Sequence, residues 1–236
     1  MTMLIAAALV FLGIHFLVSG TKARDAIVAI TGEGPYLGLF SLASLVSIGW
    51  LVLSYKRAEA GNENQILYDL GIGVRHAAIP VIALAFFLGV QGLFLPNPTS
   101  VRGESLASKD VPVQGVLRIT RHPFLWGAAI WSGFHMAANG DLASVIFFGT
   151  FLLLSLLGPV SIDAKRRRKM GAAWDGFAAK TSNVPFAAIA SGRNQLRLSE
   201  LFGWRFWAAA GIFLVVLFAH ARLFGASPFP TGWVPF

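Results

Sequence analysis

Residues 122–162 read HPFLWGAAIWSGFHMAANGDLASVIFFGTFLLLSLLGPVSI, and this stretch decides the fold. It holds no Lys, Arg or Glu, and its single acidic residue, Asp141, directly follows Asn139-Gly140. The two halves, His122–Gly140 and Leu142–Ile162, are apolar runs of the ~20 residues that a helix needs to cross the hydrocarbon core of a bilayer. Asn-Gly-Asp is turn chemistry, because Gly tolerates positive φ and the Asp141 carboxylate is placed to cap the amides of the helix that follows. The reading is a tight antiparallel hairpin of two membrane helices.

Four more segments share the pattern: Met1–Thr21, Pro35–Tyr55, His76–Val101 and Phe206–Ala221. The expected fold class is therefore all-α, a polytopic membrane bundle of about six transmembrane helices forming a single domain over residues 1–236. The first segment has no basic stretch ahead of it and no small-residue cleavage site before Lys22, so it reads as an uncleaved span. Composition agrees, with 56% hydrophobic residues, 13% charged, 20 Phe and 7 Trp, where a soluble domain carries about a quarter charged residues. A nucleic-acid partner and a secreted disulfide scaffold are both excluded. The chain has no Cys, which also removes thiolate nucleophiles, thiolate metal ligands and iron–sulfur clusters. A metal here has His, carboxylate or backbone as its ligands.

Most of the 19 Lys and Arg residues fall in the connections after the first, third and fifth segments, leaving Lys56, Arg57, Arg75 and Arg222 on the other side. The positive-inside rule then puts those three connections in the cytoplasm and both termini outside. The expected location is a bacterial inner membrane with periplasmic termini. The longest connection, 163–205, carries Trp174, Phe177 and Ala178 at helical spacing beside Lys169, Asp175 and Lys180. That pattern predicts an amphipathic helix on the cytoplasmic surface, with Lys165 through Lys169 set among anionic headgroups.

Chemistry is concentrated in the histidines. Ionisable residues within spans are costly and usually functional. His15 and His135 lie inside apolar segments, His76 and His122 stand at segment ends, where contacts to headgroups or backbone explain them equally well, and His220 closes the last segment as an interfacial residue. On a helix, Trp131, Ala128 and Gly127 share the face of His135, with Ser132 three residues before it. Such a face suits a flat macrocycle, and its small residues suit close helix packing equally. His122 is 13 positions from His135 and lies about 220° around the helix, so a bis-imidazole site needs its second ligand from another span. Without Cys, two neutral imidazoles on facing helices make an axial pair for haem b.

Arg118-Ile119-Thr120-Arg121-His122-Pro123, followed by Gly127, Trp131 and His135, resembles the NnrU family and in particular its 15-cis-ζ-carotene isomerase branch. So do Ile14-His15, Gly32-Glu33-Gly34-Pro35-Tyr36 with Leu39-Phe40-Ser41-Leu42, and the long stretch Lys180-Thr181-Ser182-Asn183-Val184-Pro185-Phe186-Ala187-Ala188-Ile189 with Gly192-Arg193. The resemblance implies a polytopic haem b protein whose iron is ligated by His15 and His135, with His76 the second choice as partner of His135 because it starts its span on the same side. Arg121, at the membrane surface, is placed to pair with a propionate, and His122, Trp131 and Ser132 complete the expected cofactor-binding set. In the isomerase branch, redox-dependent exchange of an axial ligand frees the iron to act on the central cis double bond of a linear carotene, a membrane-dissolved substrate. The exchanging thiolate of that branch falls at Ser132, where this chain departs from the pattern. The denitrification-associated branch of the family implies instead a role in redox sensing, electron transfer or assembly.

Arg121-His122-Pro123 before a hairpin also resembles S-adenosylmethionine-dependent membrane methyltransferases of the isoprenylcysteine carboxyl type, with Asp163 as the downstream acidic candidate. A structural or quinone-handling subunit is a third reading, which leaves His135 without a role.

Overall fold

The computed structural model describes residues 1–19, 21–100, 103–106 and 113–229. Arg102 and Lys109 of the third connection, and Val101 at the end of the third apolar segment, lie outside the described residues. Helix α1 (Thr2–Gly13) continues into a π-helical segment, Ile14–Ser19. It is followed by α2 (Lys22–Thr31), α3 (Glu33–Glu59), α4 (Ile72–Phe94), α5 (Pro123–Asn139), α6 (Leu142–Met170), α7 (Ala172–Lys180), the single turn α8 (Ala187–Ala190) and α9 (Trp204–Phe224). No strand is present among the described residues.

Five helices have the length and apolarity to cross a membrane: the combined Thr2–Ser19 helix, α3, α4, α6 and α9. The sixth expected span, α5, has 17 residues, at the short end of the ~17–25 that suffice. It packs against both α4 and α6, while α9 packs on α4, and α1 and α3 pack on α6. One buried cluster joins Leu4, Ala7, Phe11, Leu51, Phe147 and Phe148 across α1, α3 and α6. Leu39, Leu42, Leu45 and Val46 on α3, like Trp207 and Val215 on α9, point outward, as side chains do where lipid is the solvent.

The hairpin forms as its sequence predicts. Gly140 ends α5 in the left-handed region at φ 68°, and the Asp141 carboxylate accepts a 2.9 Å hydrogen bond from the Ser144 amide. Pro123 occupies the first turn of α5, where its missing N–H costs nothing. The two ends of the bundle are distinct. At one, here the Met1 end, the terminal amine meets Glu63 and the segment 64–68 runs along the hairpin, with Leu67 N–H donating to Gly140 O at 2.9 Å and Leu142 N–H to Gln65 O at 2.9 Å. At the other, the Arg121 end, α9 starts beside the end of α4, where Arg205 donates to Phe94 O.

Two details differ from the sequence reading. α6 runs on to Met170 instead of stopping near Ile162, so Lys165 through Lys169 form its last turns, where cations oppose the negative helix terminus. Within that run Arg166 is turned inward, buried, and donates to Ser100 O at 2.6 Å. The expected helix in 163–205 is α7, but Trp174 and Phe177 are covered by the protein's own side chains and are not left for a lipid surface.

Candidate functional site

Toward the Met1 end, α5 presents His135 among aromatic rings. Trp131, one turn earlier, lies 5.1 Å from it between centroids, and Phe148 of α6 stacks at 4.9 Å with an interplanar angle of 28°. His135 Nδ1 is 2.8 Å from Trp131 O. A carbonyl only accepts, so Nδ1 carries the proton and Nε2 keeps its lone pair. The same device recurs at His15 with Phe11 O (2.7 Å), His76 with Ile72 O (2.9 Å) and His220 with Ala226 O (2.7 Å). Four imidazoles are thus held in the tautomer that a metal would use.

The histidines sit in different surroundings. His15 sits in the π-helical segment against Phe11 (4.4 Å) and Phe40 (5.4 Å). Phe11 touches Phe151, and Phe151 touches Trp131, so a chain of ring contacts links His15 to His135. His76 is at the exposed start of α4, apart from the rings around His135. The imidazole that does face His135 is His220 of α9, with centroids 6.4 Å apart and planes at 19°. Sequence reasoning set it aside as interfacial. A signal was available: His135 and His220 each precede a left-handed glycine, Gly140 and Gly225, by five residues.

The small residues behind His135 serve helix packing. A Cβ on Gly127 would stand 2.6 Å from Ala85 O and 2.7 Å from the Gly89 amide nitrogen, so α4 and α5 cross in direct backbone contact there. Ser132 is fully buried, and its hydroxyl donates to Ala128 O at 2.7 Å. Trp131 joins His135 to Phe148 and Phe151.

At the Arg121 end the Arg-His-Pro stretch is a joint. Asp163 of α6 accepts from Arg121 Nε (2.9 Å) and Nη2 through one oxygen and meets His122 Nε2 at 2.7 Å through the other. The Arg121 guanidinium also lies over Trp174 of α7, 5.7 Å from the ring centroid. Backbone pairing locks the distant stretch 180–189 onto 118–126: Arg121 N–H donates to Ser182 O (2.9 Å), Phe186 N–H to Ile119 O (2.8 Å), and Trp126 Nε1–H to Asn183 O (2.8 Å). Thr120 Oγ1 adds a 2.6 Å bond to Asn183 O. Nearby, Arg118 grips Glu200 through Nε (2.7 Å) and Nη2 (2.9 Å). Arg121 and His122 therefore find their partners within the chain, far along α5 from His135.

This docking of 180–189 on the Arg-His-Pro corner and the deep α5 imidazole are carried by stretches inside a family match, since residues 3–228 match the family described as NnrU protein. The chain belongs to the NnrU family. Among its relatives, it is 28% identical over 219 residues to the chloroplastic 15-cis-ζ-carotene isomerase of Zea mays, a match covering 89% of this chain and 57% of that protein. The chloroplastic 15-cis-ζ-carotene isomerase of Arabidopsis thaliana is 27% identical over 214 residues, covering 86% and 56%. This NnrU chain thus spans just over half the length of the curated relatives it matches. No solved structure shows significant similarity to it.

Proposed function

We propose that this NnrU protein is a haem b-dependent cis–trans isomerase of a linear, membrane-dissolved polyene of the ζ-carotene type, residing in a bacterial inner membrane with both termini periplasmic. The observation that carries the reading is His135: an imidazole inside a membrane helix, with Nδ1–H spent on Trp131 O and the Nε2 lone pair left for a metal. The two similar isomerases supply the reaction class. A bound haem would supply an iron centre that shares an electron or electron density with the polyene and so lowers the bond order of its central double bond.

The chain's own residues do the rest. His135 would hold the iron through Nε2, and its bond to Trp131 O fixes ring orientation and would raise ligand basicity. Trp131, Phe148 and Phe151 wall the site with apolar rings that exclude water and offer flat surfaces to a polyene. Substrate and product have the same composition, so no net oxidant or reductant is consumed. Ser132 provides no thiolate, and in this reading iron ligation falls to imidazole. The Arg121–His122–Asp163 joint stabilises the bundle and serves no catalytic role in this reading.

The test is the absorption spectrum of the detergent-purified chain from haem-supplied cells, air-oxidised and then dithionite-reduced, followed by incubation with a 15-cis linear carotene and chromatographic separation of geometric isomers. A Soret band with sharp reduced α and β bands that His135→Ala abolishes or shifts, together with cis-to-trans conversion by wild type alone, supports the reading. A colourless wild type refutes it. A haem-loaded protein without isomerase activity confines the function to haem redox chemistry.

A further inference from the structure

We propose that the cavity between the end of α4, the turn Gly115–Arg118 and the start of α9 binds the headgroup of an anionic phospholipid, a glycerol phosphodiester whose phosphate meets Arg205 and whose hydroxyls meet Gln91. The site stands apart from the haem reading and shares no residue with it.

The first observation is Gln91, in the last turn of α4. It is 3% exposed, and its Nε2 finds no hydrogen-bond partner among the described residues. A buried amide without a partner is costly, and the hydrocarbon around a membrane helix holds no water to supply one. Gln91 lines a cavity of about 100 Å³ together with Leu95, Gln114, Val116, Glu200 and Arg205. One water needs about 10–15 Å³, so a group of several heavy atoms fits.

The second is how the walls are held. Gly115, at φ 56°, donates its amide to Glu200 Oε2 at 2.8 Å, and Arg118 takes both oxygens of that carboxylate. Leu95, Val116, Leu117 and Leu201 pack together as a buried cluster beside them. The wall is thus fixed by bonds in which Gln91 has no share, and its carboxamide stays uncommitted.

The third is the mouth. Arg205 gives Nε to Phe94 O at 3.2 Å, and its guanidinium lies over Trp204, 5.1 Å from the ring centroid. No carboxylate among the described residues pairs with it. Phe94, Trp204 and Trp207 are exposed nearby, as in the aromatic belt that marks headgroup depth. Arg118 and Arg197 flank Glu200, so with Arg205 this corner is net positive, which favours an anionic lipid.

These features select the headgroup. A guanidinium takes a phosphate through parallel N–H donors. Beyond the phosphate, Gln91 offers a donor at Nε2 and an acceptor at Oε1. A glycerol hydroxyl answers both, an ethanolamine ammonium can only donate, and choline does neither.

The experiment titrates the full chain, delipidated in detergent, with phosphatidylglycerol, phosphatidylethanolamine and phosphatidylcholine of matched acyl chains, and with inorganic phosphate alone. The readouts are lipid retained in native mass spectrometry and Tm. Wild type is expected to bind phosphatidylglycerol about tenfold more tightly than the other two lipids, the worth of one or two hydrogen bonds. Gln91→Leu, similar in volume, is expected to keep the lipid-free Tm and lose that preference. Arg205→Gln is expected to weaken all three lipids. Equal binding of phosphatidylglycerol and phosphatidylcholine by wild type overturns the proposal, as does a preference that survives in Gln91→Leu. Phosphatidylethanolamine matching phosphatidylglycerol overturns the glycerol assignment. Displacement of phosphatidylglycerol by equimolar inorganic phosphate makes this a site for a free anion and overturns the lipid. A lower lipid-free Tm in Gln91→Leu shows that the carboxamide serves the fold, and unchanged lipid binding in Arg205→Gln removes the phosphate contact; either result overturns the site.

Discussion

Asp163 divides its two carboxylate oxygens between adjacent residues, one accepting from Arg121 and the other 2.7 Å from His122 Nε2. Through this one side chain the far half of α6 is tied to the entry of α5. Both oxygens have intrachain partners, and Arg121 is further fixed by the carbonyl of Thr181 and the face of Trp174. Removing one partner of a buried charge pair leaves the other uncompensated, at about 3–5 kcal/mol when burial is complete. With the Asp163 side chain 19% exposed, Asp163→Ala is expected to cost about 2–4 kcal/mol. Thermal unfolding in detergent should register this as a lower Tm, with Asp163→Asn losing less because it still accepts hydrogen bonds. S-adenosylmethionine is expected to leave the wild-type Tm unchanged. A ligand-induced rise would return the methyltransferase reading to consideration.

Gly127 gives a second expectation. Its Cα faces Gly89 so closely that an added Cβ would meet the α4 backbone at 2.6–2.8 Å, and backbone cannot give way as a flexible side chain can. Gly127→Val should force α4 from α5 and cost about 1–3 kcal/mol or more, as overpacking does. Gly133→Ala is the control. Its Cβ would meet only Leu152, at 3.6 Å, so the substitution should be neutral or stabilising, since Ala is the better helix former by about 1 kcal/mol. Equal Tm changes in the two variants would contradict the packing described here.

These two sites mark how far the sequence could be read. Spans, hairpin, Pro123 and the Asp141 cap were legible because membrane helices declare themselves by length and apolarity, and turns by local chemistry. Gly127 was legible only as a small residue with two uses, and the choice between them needed Gly89 on another helix. Arg24 looked like one more charge in a basic connection, yet it is buried, donates to Glu33 at 2.7 Å and lies over Tyr36. At the candidate site, helical periodicity put Trp131 beside His135 correctly, because both belong to one helix. It could not foresee that His220 lies 6.4 Å from His135, because the packing of α9 on α4 is a tertiary fact with no local signature.

Arg118 and Glu200 predict a pH dependence. Hydrogen bonds from Arg118, with a contribution from the Gly115 amide and against the opposing effect of burial, hold the Glu200 carboxyl below the usual glutamate range. A depressed folded-state pKa means that Glu200 binds its proton more readily in the unfolded chain. Its stabilisation is therefore complete above the unfolded pKa of about 4.3 and is lost as pH falls through that value toward the folded pKa. Wild type should lose Tm between about pH 5 and pH 3 more steeply than Glu200→Gln. At pH 7 the variant should be about 1–2 kcal/mol less stable, in keeping with a partly exposed, charge-assisted pair. Parallel Tm–pH curves for the two proteins would remove Glu200 as the titrating group.

Gly140 couples stability to the site. It sits at φ 68°, and an added Cβ would overlap Tyr68 O. The segment bearing Tyr68 is bonded to the hairpin through Gly140 O, and Tyr68 itself donates to Met136 O at 2.7 Å, next to His135. Gly140→Ala must therefore either strain the left-handed turn, at about 1 kcal/mol or more, or push the 64–68 segment away. The second course frees Tyr68 from the last turn of α5 and disturbs the carbonyl network beside the imidazole. The expected result is a Tm lower by at least about 2–4 °C, taking about 2–4 °C per kcal/mol for a chain of this size, accompanied, on the haem reading proposed above, by a broadened or shifted haem spectrum. Tyr68→Phe, which removes only the bond to Met136 O, should alter the spectrum with a smaller loss of Tm. If both variants lower Tm while leaving the spectrum untouched, the hairpin end is a structural clamp alone and plays no part in positioning His135.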